Sequence, residues 1–153
     1  SMGRAKELTY ILDVVRGRWN PFDRNRVISS TCELDDTRYG HGNWRLWIEQ
    51  EPGNGGKESA MISARDLAKY APRFEVPSVD KVTRAQWFAA QWLAGNVRIV
   101  RAAWNPAYID ELAAFPNGEH DDQVDASSGA FNKLLTTTTP AFARPFGVAA
   151  GAR

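Results

Sequence analysis

Apolar and polar positions alternate along the chain with two different periods. LTYILDVVRGR (8–18) is rich in β-branched and aromatic residues and predicts a strand. Asn20-Pro21 supplies an N-cap and a first-turn proline, so a helix is expected from about 21 to 32. DDTRYGHGN (35–43) reads as a loop, WRLWIEQ (44–50) as a second strand, and EPGNGG (51–56) as the turn that ends it. KESAMISARDLAKY (57–70) predicts a helix stopped by Pro72, and RFEVPSV (73–79) a short extended piece. Thr83 is the expected cap of a helix over 84–95, closed by Gly95-Asn96. VRIV (97–100) predicts a further strand, Asn105-Pro106 opens a helix over 107–115, and a last helix covers about 122–135. Strands alternating with helices predict an α/β fold. The helix from Arg84 is apolar on most sides, which predicts that it is sandwiched. Trp44, Trp47 and Trp92 are expected to build core.

These elements fill residues 8–135 as one domain without internal repeats, followed by a biased tail (136–153) expected to be flexible. Length (153 residues), 43% hydrophobic content and 24% charge are those of a soluble globular domain with its own core. No apolar run is long enough to span a bilayer, no secretory signal opens the chain, and no membrane partner is expected. The single Cys32 excludes an internal disulfide and a cysteine-built zinc site, and fits a reducing compartment. Net charge is +1, so the global basic field common among nucleic-acid binders is absent. The charge is unevenly spread, however. The first 30 residues hold six Arg/Lys against three Asp/Glu, whereas 105–125 hold six Asp/Glu and no Arg/Lys.

The acids concentrate in HDDQVDA (120–126). Asp122 and Asp125 are three apart and share a helical face, while Asp121 falls at or just before the N-cap. A cap needs one such residue, not three. Acids do suit a helix N-terminus through its dipole, yet carboxylates this close repel one another, and a hard divalent cation removes that repulsion. The small, apolar flank VDASSGAF predicts that this face points inward. Glu49 closes the strand RLWIEQ, where alternation puts Leu46 and Ile48 on one side and Trp47 and Glu49 on the other. An acid at a strand exit before a glycine-rich loop lies where α/β sheets place their sites. Together the four acids suggest a cage for two Mg²⁺ or Mn²⁺, a pair that activates water and stabilises the leaving oxygen in phosphodiester cleavage. GNGGK (53–57) is no ATP-binding loop, because Glu58 follows Lys57 and the spacing is wrong. It reads as a turn into a helix, with Lys57 placed to touch a DNA phosphate. His41 and His120 read as ordinary polar residues, with His120 also able to orient a neighbouring acid.

YILDVVRGRWNP, WIEQEPGNGGK, DKVTRA and LAGNVRIVRAAWNPAYIDELAAFPNGEHDDQVDA occur in that order over about residues 8 to 135. The series resembles the C-terminal nuclease domain of the large terminase subunit of tailed bacteriophages and prophages. The resemblance implies an RNase H-like mixed sheet flanked by helices. It implies a Mg²⁺- or Mn²⁺-dependent DNA endonuclease that cuts concatemeric DNA during genome packaging. Glu49 matches the family's acid at the end of a later strand, and Asp121, Asp122 and Asp125 match its acids before the last helix. These four are the implied catalytic and metal-holding residues. Lys81 and Arg84 of DKVTRA match a recurring family element and, with Lys57, are the candidates for DNA contact; Arg98 and Arg101 are further ones. Implied partners are double-stranded DNA and, for the full-length family, the small terminase subunit and the portal, in the cytoplasm of a bacterial host.

The resemblance also implies two strands and a first catalytic Asp ahead of YILDVVRGR. Nine residues precede Tyr10, and none is Asp. The expectation is therefore a domain truncated at its N-terminus, whose exposed sheet edges favour a homodimer and whose metal site lacks a ligand. Asp13 is a candidate replacement; the alternative is a structural Asp paired to Arg16 or Arg18. Two functional readings stand: an endonuclease, and a non-catalytic prophage remnant that folds and at most binds metal or DNA. A related RNase H-like resolvase would share the Asp122/Asp125 spacing, but WNPAYIDELAAFP weighs against it.

Overall fold

The structure is a computed structural model that describes residues 1–136. Along the chain run β1 (Met2–Ala5), β2 (Leu8–Ile11), α1 (Pro21–Tyr39), β3 (Trp47–Glu49), α2 (Asn54–Asp66), a 3-10 turn (Ala68–Tyr70), β4 (Arg73–Glu75), α3 (Lys81–Leu93), β5 (Val97–Ile99), α4 (Asn105–Ala114) and α5 (Asp122–Thr136). The class is α/β, as the alternation of elements predicts. The expected flexible tail lies outside the described residues, except for Thr136, which ends α5. The chain forms two compact units: unit 1 is Ser1–Arg16 with the chain from Asp80 onward, and unit 2 is Gly17–Val79.

Unit 1 carries a mixed three-stranded sheet in the order β1-β2-β5. β1 and β2 pair antiparallel from Met2↔Ile11 to Ala5↔Leu8, and β2 pairs parallel with β5 over Thr9↔Val97 to Ile11↔Ile99. β1 was not anticipated from the sequence, and it covers one edge of β2 while β5 covers the other. The strand expected over 8–18 ends at Ile11. Past that point the amides of Leu12 and Asp13 go to the Ser1 carbonyl (2.9 and 3.3 Å), and the ladder stops. Ile11, Phe88, Tyr108 and Phe131 form the buried core, with Met2, Val97, Ile99, Trp92, Trp104 and Leu112 packed around it. Rings meet there edge-on or tilted, as for Phe88 and Phe131 at 5.7 Å and Trp104 and Tyr108 at 5.7 Å.

α3 departs from expectation in two ways. Its cap is Asp80, whose carboxylate accepts the Thr83 amide (3.0 Å) and hydroxyl (2.7 Å); Thr83 is the partner of the cap. These bonds hold the Asp80 carboxyl below its usual range. The helix is also not sandwiched. Ala85, Phe88 and Trp92, at i, i+3 and i+7, face the core, while Trp87 is 68% and Leu93 88% exposed.

Unit 2 is built on α1, α2 and the parallel pair β3–β4, with register Trp47↔Arg73, Ile48↔Phe74 and Glu49↔Glu75. Cys32, Leu67 and Tyr70 are buried, and Ile28, Trp44, Leu46 and Ile48 pack against them. Trp44 thus serves a core as expected, whereas Trp47 is half-buried with the Arg73 guanidinium 5.4 Å from its ring. α1 continues to Tyr39, seven residues beyond the expected end, so the first five residues of the predicted loop are helical. No Gly or Pro interrupts it before Gly40, whose φ of +85° stops the helix while its N–H closes on the Asp36 carbonyl. Its face toward α2 is polar: Asn25 bonds Asp66 (3.1 Å) and Ser63 (3.1 Å), and Arg24 bonds Ser59 and Ser63 (both 3.2 Å).

Candidate active site

In unit 1 the acids gather at the start of α5. The Asp121 carbonyl accepts the Asp125 amide at 2.9 Å, which makes Asp121 the N-cap. The buried side of α5 is Gln123, Val124, Ser127, Ser128 and Phe131. Asp122 is exposed, and Asp121 and Asp125 are half-buried. The expectation of an inward face shared by Asp122 and Asp125 is thereby corrected: a helix that buries Val124 and Ser128 turns residue 122 to solvent.

The acids are not left among themselves. Lys81 Nζ donates to Asp121 Oδ2, and Arg84 Nη2 donates to Asp125 Oδ1 at 3.0 Å. Both basic residues come from the first turn of α3, which packs against α5. Cationic neighbours, supplied by a segment forty residues upstream, thus neutralise two of the three acids. Sequence proximity showed no base near HDDQVDA; the helix packing brings two. The same Lys81 and Arg84 were the expected DNA contacts.

α4 holds this corner from beneath. Tyr108 is fully buried, and its hydroxyl shares a 2.7 Å bond with Ser127 of α5. Burial pushes its phenol up to about 12, with the nearby Glu111 charge adding to the rise and the Ser127 bond opposing it. One turn later Glu111, with its side chain only 4% exposed, accepts both the Gln123 amide (2.6 Å) and the Gln123 side-chain nitrogen (2.5 Å). Arg16 Nη2 lies 3.6 Å from Glu111 Oε2, the oxygen that also takes the Gln123 side chain. Arg16 therefore pairs with Glu111. Glu111 was missed. Its signal was present, since YIDEL puts it three residues from Tyr108 on the inward face, where an acid needs a partner.

In unit 2 Glu49 is exposed at the end of β3 and lies across from Glu75 of β4. It lines a shallow cleft of about 110 Å³ with Arg24, Gln50, Glu51, Ser59 and Ser63. The glycines after it are needed for the turn. Gly53 has φ +91°, and a Cβ at Gly56 would stand 1.8 Å from the Glu51 carbonyl oxygen, so the loop presses directly onto α2. Lys57 is exposed in the first turn of α2, its amide bonded to the Gly53 carbonyl at 3.2 Å. Glu75 was also missed by sequence reasoning, because RFEVPSV reads only as a short extended piece.

Carboxylate oxygens are the right kind of donor for Mg²⁺ or Mn²⁺. Among the described residues, however, no group of three or more His, Cys, Asp or Glu is close enough to hold a metal ion. At α5 the place of a counter-cation is taken by Lys81 and Arg84. The donor chemistry fits a hard cation, and a cation at Asp121 or Asp125 would have to compete with these two side chains.

Comparison with curated proteins and with solved structures gives no match. Among protein families, the model for the terminase RNase H-like domain matches residues 33–134, about two-thirds of the chain. The match takes in Glu49, Lys57, Lys81, Arg84, Glu111 and all three aspartates of HDDQVDA. The chain belongs to the terminase RNase H-like domain family.

Proposed function

We propose that this domain is a Mg²⁺- or Mn²⁺-dependent DNA endonuclease that cuts concatemeric double-stranded DNA during genome packaging. The observation that carries this reading is the set of acids held at the start of α5 in a chain of this family. Asp121, Asp122 and Asp125 are the residues of unit 1 that would hold the ion, and Glu49 is the candidate in unit 2. When bound, the ion supplies an activated water and charge stabilisation for the leaving oxygen. The chain's own part is to orient the carboxylates and to meet phosphate. Asp122 is already exposed, and α4 fixes the backbone beside it. Lys81, Arg84 and Lys57 are proposed phosphate contacts, which are independent of sequence and weakened by salt. In a full packaging machine the partners would be the small terminase subunit and the portal, in the host cytoplasm. No helix among the described residues is long and apolar enough to cross a membrane.

A second reading is a non-catalytic domain, and the ion pairs Lys81–Asp121 and Arg84–Asp125 favour it. Supercoiled plasmid separates the two. Wild type, Glu49→Ala and Asp122→Ala are incubated with Mn²⁺, Mg²⁺ or EDTA. Metal-dependent nicking and linearisation, lost in both variants, is the expected outcome. Absence of cutting by folded wild type at every metal concentration selects the non-catalytic reading.

A further inference from the structure

A helix begins with amides that lack intrahelical partners, and the N-cap side chain ordinarily takes the amide at the second or third position. In α5 the N-cap is Asp121, yet its Oδ2 is directed to Lys81. The amide of Gln123, the second residue of the helix, is taken instead by Glu111 Oε1 at 2.6 Å, from α4. Glu111 Oε2 takes the Gln123 side chain at 2.5 Å. One carboxylate therefore grips a single residue at two points, next to Asp122 and within two positions of Asp121 and Asp125. A buried carboxylate is also the charge that a helix N-terminus favours, and Arg16 at 3.6 Å balances it. Tyr108, bonded to Ser127 one turn away, locks the same two helices together and so fixes where Glu111 stands.

We propose that Glu111 is a positioning residue: it caps α5 from outside, which releases the Asp121 carboxylate from capping and anchors to α4 the helix start that carries Asp121, Asp122 and Asp125. The functional consequence rests on the reading that these acids hold metal; the capping itself does not. Outer partners of this kind typically change metal affinity by roughly 10–100-fold.

The test combines amide hydrogen exchange with Mn²⁺ calorimetry on wild type, Glu111→Ala, Glu111→Gln, Gln123→Ala and Ser127→Ala. Glu111→Ala is expected to speed exchange at 123–126 by at least about tenfold, leave 128–134 unchanged, and weaken Mn²⁺ by about tenfold or more. Glu111→Gln keeps an acceptor for the Gln123 amide and should recover most of both effects. Ser127→Ala loosens the same helix pair elsewhere and should produce neither local pattern. If Glu111→Ala does not fold, Gln123→Ala, which removes only the side-chain contact, should still give the local exchange increase and a smaller loss of affinity. The proposal is overturned if Glu111→Ala, or Gln123→Ala in its place, matches wild type in exchange and affinity, or if Ser127→Ala reproduces its pattern. Local loss of protection in a protein whose wild type takes up no Mn²⁺ upholds the positioning and defeats the nuclease reading. Wild-type Mn²⁺ binding with no effect of Glu111 defeats the positioning and leaves the metal-holding reading of the acids standing.

Discussion

Replacing Arg84 by Met should make the protein less stable and its acids better at holding a cation. Arg84 Nη2 lies 3.0 Å from Asp125 Oδ1, and the two side chains are 14% and 23% exposed. At that distance and an effective dielectric near 20, the bare attraction is about 5–6 kcal/mol. Desolvation of both groups and ordering of the long arginine offset most of it, leaving about 1–2 kcal/mol net for a partly buried pair. A divalent cation that takes Asp125 must first give back that amount. Arg84→Met keeps the apolar stem and removes the competitor, so the folding free energy should fall by about 1–2 kcal/mol while Mn²⁺ binding tightens by the same amount, or roughly tenfold. Urea unfolding measures the first effect, and isothermal titration with Mn²⁺ the second. A folded Arg84→Met protein whose Mn²⁺ affinity equals or falls below that of wild type would refute the competition, as would failure of both proteins to bind.

Two further outcomes follow from the cores. Phe131→Ala empties the centre of the unit 1 cluster formed with Ile11, Phe88 and Tyr108, and should cost about 3–5 kcal/mol in urea unfolding; a loss below about 1 kcal/mol would mean that this core does not carry the unit. Burial, reinforced by Asp35, Asp36 and Glu33, pushes the Cys32 thiol up to about 11 from its ordinary 9.0. Its folded form resists ionisation, so the contribution to stability is complete below pH 9.0 and is lost as pH rises through the folded value of about 11. Thermal melts of Cys32→Ala should therefore show a flatter alkaline limb, and superimposable limbs would exclude the effect.

The sequence alone determined the order and type of most elements, because periodicity, caps and stop signals are local. Pro21 and Pro106 mark boundaries by their fixed φ and Gly95 by its freedom to take positive φ, and α1 overran its expected end only because nothing before Gly40 forbids a helix. The candidate acids were legible too, since three carboxylates in five positions are unusual on any fold. What surrounds them was not. Lys81 and Arg84 reach Asp121 and Asp125 from forty-odd positions upstream, and Glu111 reaches Gln123 across a loop. These partners are chosen by which faces of α3, α4 and α5 bury Ala85, Phe88, Tyr108 and Phe131. The same burial turned Asp122 outward and left Trp87 exposed on a helix whose composition predicted the opposite. Residue type is fixed by the chain, but a side chain's charge environment is set by neighbours that only packing supplies, and electrostatic energy depends on those distances.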